Sequence, residues 1–154
     1  MAIKVVLAEA HNVQYQNAAI QEEIKSIENG VNHIELPLTD NTVNFVFIKG
    51  NYVHSERRMF TICLFVNKMK ETLTEIHGVI RMKFQQKSAL IAKTTVDFDK
   101  QFIGKLNPNE ALLVQIGISV KGLGQDEEFV KSNISGNFSE VRVTTNNQIK
   151  KTIG

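Results

Sequence analysis

The sequence predicts a mainly β protein: an antiparallel two-sheet β-sandwich of about seven strands with one N-terminal amphipathic helix. Three observations carry this prediction. Ala111–Val120 alternates strictly, with Leu112, Val114, Ile116, Ile118 and Val120 on one side of an extended strand and Leu113, Gln115, Gly117 and Ser119 on the other. That period of two marks a strand with one buried face. Several further segments repeat the pattern between short turn-like links, as sandwich strands do. Only Asn17–Asn29 shows the helical period instead, with Ile20, Ile24 and Ile27 forming one apolar stripe among Gln21, Glu22, Glu23, Lys25 and Glu28.

Each element follows in order. Ile3–Ala10 reads as a short strand. The helix at 17–29 is followed by Gly30, a residue that commonly ends helices, and its single stripe predicts a surface position. Residues 31–36 read as a strand stopped by Pro37, and 43–48 as a second, with Gly50-Asn51 marking a bend before Tyr52. Residues 57–66 are apolar on both faces: Met59, Cys63 and Phe65 on one, Phe60, Ile62, Leu64 and Val66 on the other. That composition predicts a central strand covered from both sides. Residues 76–84 place Ile76, Gly78, Ile80, Met82 and Phe84 inward and His77, Arg81 and Lys83 outward. Residues 89–98 repeat the pattern with Leu90, Ala92, Val96 and Phe98, after a link of hairpin length at Gln85–Ser88. Leu106-Asn107-Pro108-Asn109 is a turn before strand 111–120, and Gly122–Asp126 is a corner. Residues 138–144 read as a last strand, and the polar tail 145–154 as a frayed end. No repeat or internal boundary divides residues 1–154, which read as one domain.

Bulk composition narrows the function classes. The 154 residues are 42% hydrophobic and 22% charged with a formal charge of +2, a globular balance far from disorder. A pI near 8.7 makes the protein mildly basic, which neither requires nor excludes nucleic acid. The single cysteine allows no intrachain disulfide. The N-terminal apolar run is too short for a signal-peptide core, and no run approaches the roughly 18 apolar residues of a membrane helix. A cytoplasmic protein, or part of an assembly made in the cytoplasm, is expected.

Motifs that carry chemistry are few. His11, His33, His54 and His77 are scattered and form no metal-binding pair. Cys63 lies inside the most hydrophobic strand and reads as a buried apolar residue, since a nucleophile needs access and a nearby base. Asp97 and Asp99 flank Phe98 and share a strand face near Glu75, but the calcium-loop spacing is missing. Gly122-Leu123-Gly124 has neither the lysine nor the helix of a phosphate loop. No catalytic residue, metal ligand or cofactor site is therefore expected. The basic residues of the middle third, Arg57, Arg58, Lys68, Lys70, Arg81, Lys83, Lys87 and Lys93, offer a candidate nucleic-acid face at Arg81, Lys83 and Lys93. Against it, the interleaved phenylalanines fall on apolar faces, and exposed lysines also discourage strand aggregation.

Several segments share a second pattern: ELPL at 35–38, FTICLFVNK at 60–68, and ALIAKTTVDFDKQFIGKLNPNEA at 89–111 with the strand that follows. In order and in strand-and-turn grammar this resembles SLAP-type domains, the small β-sandwich modules of S-layer-associated and accessory-secretion proteins. The resemblance spans about half the sequence; the aromatic residue usual after the proline turn is missing. It implies an immunoglobulin-like, non-catalytic adaptor and carries over no functional residue. A jelly-roll-like arrangement satisfies the same alternation.

The function expected is a non-enzymatic module for protein–protein interaction or assembly, with self-association foremost and a component of a larger particle or surface-layer system as one setting. Open sandwich edges allow contact by strand addition. The flat, uncharged outward side of strand 111–120, at Gln115, Gly117 and Ser119, is a candidate contact face. The alternatives are a nucleic-acid-binding β domain using its basic face and a small-ligand binder with a pocket between sheets.

Overall fold

A computed structural model describes residues 2–8, 17–34 and 36–153. Glu9 and Ala10 at the end of the first expected strand, His11, Glu35 and Gly154 lie outside the described residues. The elements in sequence order are β1 (Lys4–Leu7), α1 (Ala18–His33), β2 (Val43–Val53), β3 (Arg58–Asn67), β4 (Leu73–Phe84), β5 (Leu90–Ile91), β6 (Thr94–Phe98), α2 (Lys100–Ile103), β7 (Glu110–Lys121), β8 (Glu127–Val130), β9 (Ile134–Thr145) and β10 (Lys150–Thr152). A 3-10 turn at Lys131–Asn133 joins β8 to β9.

The mainly β architecture is present, built as one continuous ten-stranded sheet in the order β10-β9-β4-β5-β7-β3-β2-β8, with β6 also on β4 and β1 on β7. All described pairings are antiparallel except β1 with β7. The short β5 makes the sheet continuous, because Leu90 lies opposite Lys83 of β4 and opposite Lys121 of β7.

The two halves of the sheet share one core. Phe65 of β3, fully buried, meets Phe98 of β6 at 5.1 Å and Phe138 of β9 at 5.3 Å between ring centroids. Met59, Cys63, Ile76, Ile80, Leu112, Val114, Ile118 and Val120 fill the same cluster. β3 lies between β2 and β7, and its other face supplies Leu64 and Val66 to a second cluster with Ile24 and Val31 of α1. Two covered faces explain why its sequence does not alternate.

The helix differs from expectation at its end. Residues 31–33 continue α1 instead of opening a strand at 31–36, and Gly30 lies inside it. Val31 extends the stripe of Ile24 and Ile27 and is buried against the sheet, so packing overrides the helix-ending tendency of glycine. The last turn also completes β1. Asn32 accepts from Ile3 N–H and donates to Ile3 C=O, both at 2.9 Å, while Glu28 accepts from Val5 N–H at 2.9 Å. These side chains take the place of a neighbouring strand along the β1 edge.

Four other expectations are corrected by the pairing. Gly50-Asn51 does not bend the backbone; both lie within β2, where a bulge at Ile48 shifts the register. A Cβ on Gly50 would come 2.7 Å from Met59 Sδ, so that glycine admits a packed side chain. Residues 89–98 form two strands, and Leu90 is 70% exposed because β5 serves as the link between halves. The last long strand begins at Ile134, earlier than 138, and β8 precedes it. The tail is anchored: β10 pairs with β9, Ile153 N–H donates to Val141 C=O at 2.7 Å, and Lys151 Nζ reaches Glu71 at 2.8 Å. That contact holds the Glu71 carboxyl below its ordinary range.

Candidate interaction surface

β9 has one satisfied flank and one open one. β4 covers the first from Ile134 to Thr145, while β10 and the residues beside it cover the second only from Val141 to Thr145. Gln85 N–H donates to Asn133 C=O at 2.9 Å, which fixes the phase of the antiparallel ladder. Hydrogen-bonded and non-bonded pairs alternate in such a ladder, so Ser135, Asn137 and Ser139 bond to β4. Ile134, Gly136 and Phe138 then turn their backbone N–H and C=O groups outward. Among the described residues these groups have no hydrogen-bond partner.

The open flank lies along a groove of about 600 Å³. Its far wall is Leu36–Thr39 with the first half of β2, and its near wall is Ile134–Phe138. Asn44 holds that far wall by accepting from Thr39 N–H at 2.8 Å and donating to Thr39 C=O at 2.9 Å. Gly136 allows β2 to approach from below: a Cβ there would meet the Phe45 ring at 2.6 Å. Asn44, Gln85, Ser132, Ser135 and Asn137 give the groove a polar lining.

Across the groove the first half of β2 is open as well, since β8 covers only Lys49–Tyr52; the remaining edges are blunted. β8 has four residues and carries Glu127 and Glu128; β10 has three and carries Lys150 and Lys151. Short, charged edges resist strand addition. β6 has five residues and carries Asp97. The stretch Ser135–Ser139 holds no charge, no proline and no lysine.

Compared with known proteins, this protein matches no family model, no curated relative and no solved structure.

Arg81 and Lys83 project from the outward face of β4. Lys93 lies at the kink before β6, one position from Thr94, which pairs with Ile80. The structure thus brings the three cations into one neighbourhood but interrupts their charge. Arg81 donates to Ser139 Oγ at 2.6 Å and lies 3.6 Å from Glu140. Lys87 pairs with Glu127 at 3.2 Å. On the same face His77 sits between Asp97, 2.9 Å from Nδ1, and Glu75, 3.2 Å from Nε2.

That histidine occupies both carboxylates from opposite ring atoms, so the three do not converge on a common point; among the described residues no metal-ligand cluster forms. Asp99, expected beside Asp97, caps α2 by accepting from Phe102 N–H at 2.9 Å. His54 contacts the Tyr52 hydroxyl at 3.0 Å, and His33 the Asn29 carbonyl at 2.6 Å.

Gln115, Gly117 and Ser119 do face outward on β7. Gln115 and Gly117 line a groove of about 510 Å³ with Phe60, Ile62 and Ile24, whereas Ser119 lines a separate one beside Tyr52 and His54. Arg58 closes the space over Gly117, donating to its C=O at 2.9 Å with the guanidinium 5.7 Å from the Phe60 ring. No helix among the described residues is long and apolar enough to cross a membrane.

Cys63 is fully buried, and its thiol donates to Val114 C=O at 3.5 Å. Burial pushes the thiol up from 9.0 to about 12, partly offset by Thr61. A thiol-specific disulfide reagent at pH 8 is expected to label Cys63 only in denaturant, and native labelling at a free-thiol rate would contradict this placement. Because the folded protein holds this proton more tightly, the thiol's contribution to stability is intact below pH 9 and lost as pH rises from 9.0 toward about 12.

Sequence reading missed the β9 edge because it assigned only 138–144 to a strand.

Proposed function

We propose that this protein is a non-enzymatic, immunoglobulin-like β-sandwich module for interaction or assembly, and that it engages its partner by strand addition at Ile134–Glu140 of β9. The observation that carries this reading is the open, uncharged edge at Ile134, Gly136 and Phe138, alongside a groove of about 600 Å³. Backbone groups on such an edge supply affinity, and the flanking groove supplies side-chain selection. The shared core across Phe65, Phe98 and Phe138 supports the sandwich description, as does the likeness to SLAP-type modules. A groove of this volume lies within the range of ligand pockets, but walls made of open backbone suit an extended peptide better than a compact ligand.

The test is site-specific photocrosslinking in the full-length protein, with the reactive residue at Asn137, at Lys93 or at Ser119. Polypeptide adducts at Asn137 are expected. Adducts confined to Ser119, or nucleic-acid adducts at Lys93 alone, would overturn the reading. The interrupted charge around Arg81 also predicts weak retention on a DNA column, with elution at low salt; a steep dependence on salt would favour the nucleic-acid alternative.

A further inference from the structure

We propose that the strand received at β9 is the same segment of a second copy of this protein, paired antiparallel about a two-fold axis at Asn137. This inference rests on the reading of Ile134–Glu140 as the interaction edge.

The phase of the ladder selects the geometry. An axis at Asn137 sets Gly136 opposite Phe138 of the partner subunit, and Phe138 opposite Gly136 of the partner subunit. Both residues turn free N–H and C=O groups to the groove, so each such pair exchanges two backbone hydrogen bonds. Asn137 then faces its own copy across a non-bonded position, where side chains approach most closely.

The side chains are compatible with that pairing. Phe138 is already engaged with Phe65 in its own core, and a glycine opposite leaves nothing to collide with the ring. Ser135 meets Ser139 of the partner subunit, so Ser135–Ser139 places no like charges across the interface. Self-pairing through β8 would crowd Glu127 and Glu128, and through β10 it would crowd Lys150 and Lys151. Of β8, β9 and β10, β9 is therefore the edge whose charge pattern suits its own copy. The result is an isologous dimer, the commonest closed assembly of identical subunits.

The experiment is sedimentation equilibrium at low salt on the wild type, Asn137→Lys, Asn137→Glu and an equimolar mixture of the two variants. Asn137 is exposed, and thermal melts of each variant confirm that the fold is retained. The wild type is expected to approach twice the 17.4 kDa monomer mass. Each variant alone sets like charges opposite each other and is expected to weaken self-association by up to about fivefold; the mixture restores it. A wild type that stays monomeric up to about millimolar protein, where only interactions weaker than about 4 kcal/mol escape detection, overturns the second copy as occupant. So does a dimer indifferent to both variants. Polypeptide adducts at Asn137 in the crosslinking experiment alongside a monomeric wild type would leave the edge reading standing while removing self-pairing.

Discussion

Asn67→Leu is expected to lower folding stability by about 3 kcal/mol, because it strips partners from groups buried at one corner of the sheet. Asn67 is fully buried at the end of β3. Its amide nitrogen donates to Glu71 C=O at 3.0 Å and to Leu106 C=O at 2.9 Å, and its oxygen accepts from Met69 N–H at 2.9 Å. Its own backbone C=O accepts from Asn109 N–H at 2.7 Å. One residue thus holds the turn into β4 and the loop before β7 together. Leu106 C=O keeps a second donor in Leu73 N–H at 2.9 Å, so the larger share of the cost falls on Glu71 C=O and Met69 N–H. Urea unfolding reads the effect as a lowered midpoint at unchanged slope. An unchanged midpoint would mean that the corner satisfies those groups without Asn67.

Phe65→Ala is expected to cost about 3–5 kcal/mol, the usual range for removing a buried aromatic ring. Phe65 is where the halves of the sheet meet: Phe45 at 5.5 Å, Phe98 at 5.1 Å and Phe138 at 5.3 Å surround one ring. Truncation leaves a cavity bordered by β2, β6 and β9, and these strands cannot collapse into it without shifting the sheet. A fall in melting temperature of about 10 °C or more is the readout for a domain of this size. A loss below about 1 kcal/mol would show that the halves are held together elsewhere. Because Phe138 also lies on the proposed interaction edge, the same variant should weaken self-association.

How much was legible in the sequence depends on the range of the interaction. Alternation at 76–84 and 111–120 reports which side chains are buried, and Ile76, Ile80, Met82 and Phe84 are buried as the pattern says. The double-faced 57–66 segment likewise reports a strand with a neighbour on each face. Val31 misled because its burial depends on Val5 and Val66, distant in sequence, and nothing local distinguishes a last helical turn from a strand start there. Leu90 misled for the opposite reason: its neighbours fit a strand, but its pairing to both β4 and β7 leaves the side chain in solvent.

The candidate surface was less legible than the fold. Arg81, Lys83 and Lys93 lie near one another, yet the carboxylate that interrupts them, Glu140, lies far along the sequence from Arg81 and has a positive φ of 54°. Gln115 and Gly117 are outward, but the groove beside them is completed by Ile20 and Ile24 of the helix. An unpaired strand edge is the least legible feature of all. It is defined by which strand fails to arrive, and no residue of Ile134–Glu140 encodes that.

Amide hydrogen exchange at β9, followed against protein concentration, tests strand addition at this edge most directly. Ser135, Asn137 and Ser139, bonded to β4, are expected to exchange slowly at every concentration. Gly136 and Phe138 are expected to exchange rapidly in dilute protein and to become protected as the protein self-associates. Rapid exchange of Gly136 and Phe138 at all concentrations, in protein whose mass has doubled, would place the interface elsewhere and contradict pairing through β9.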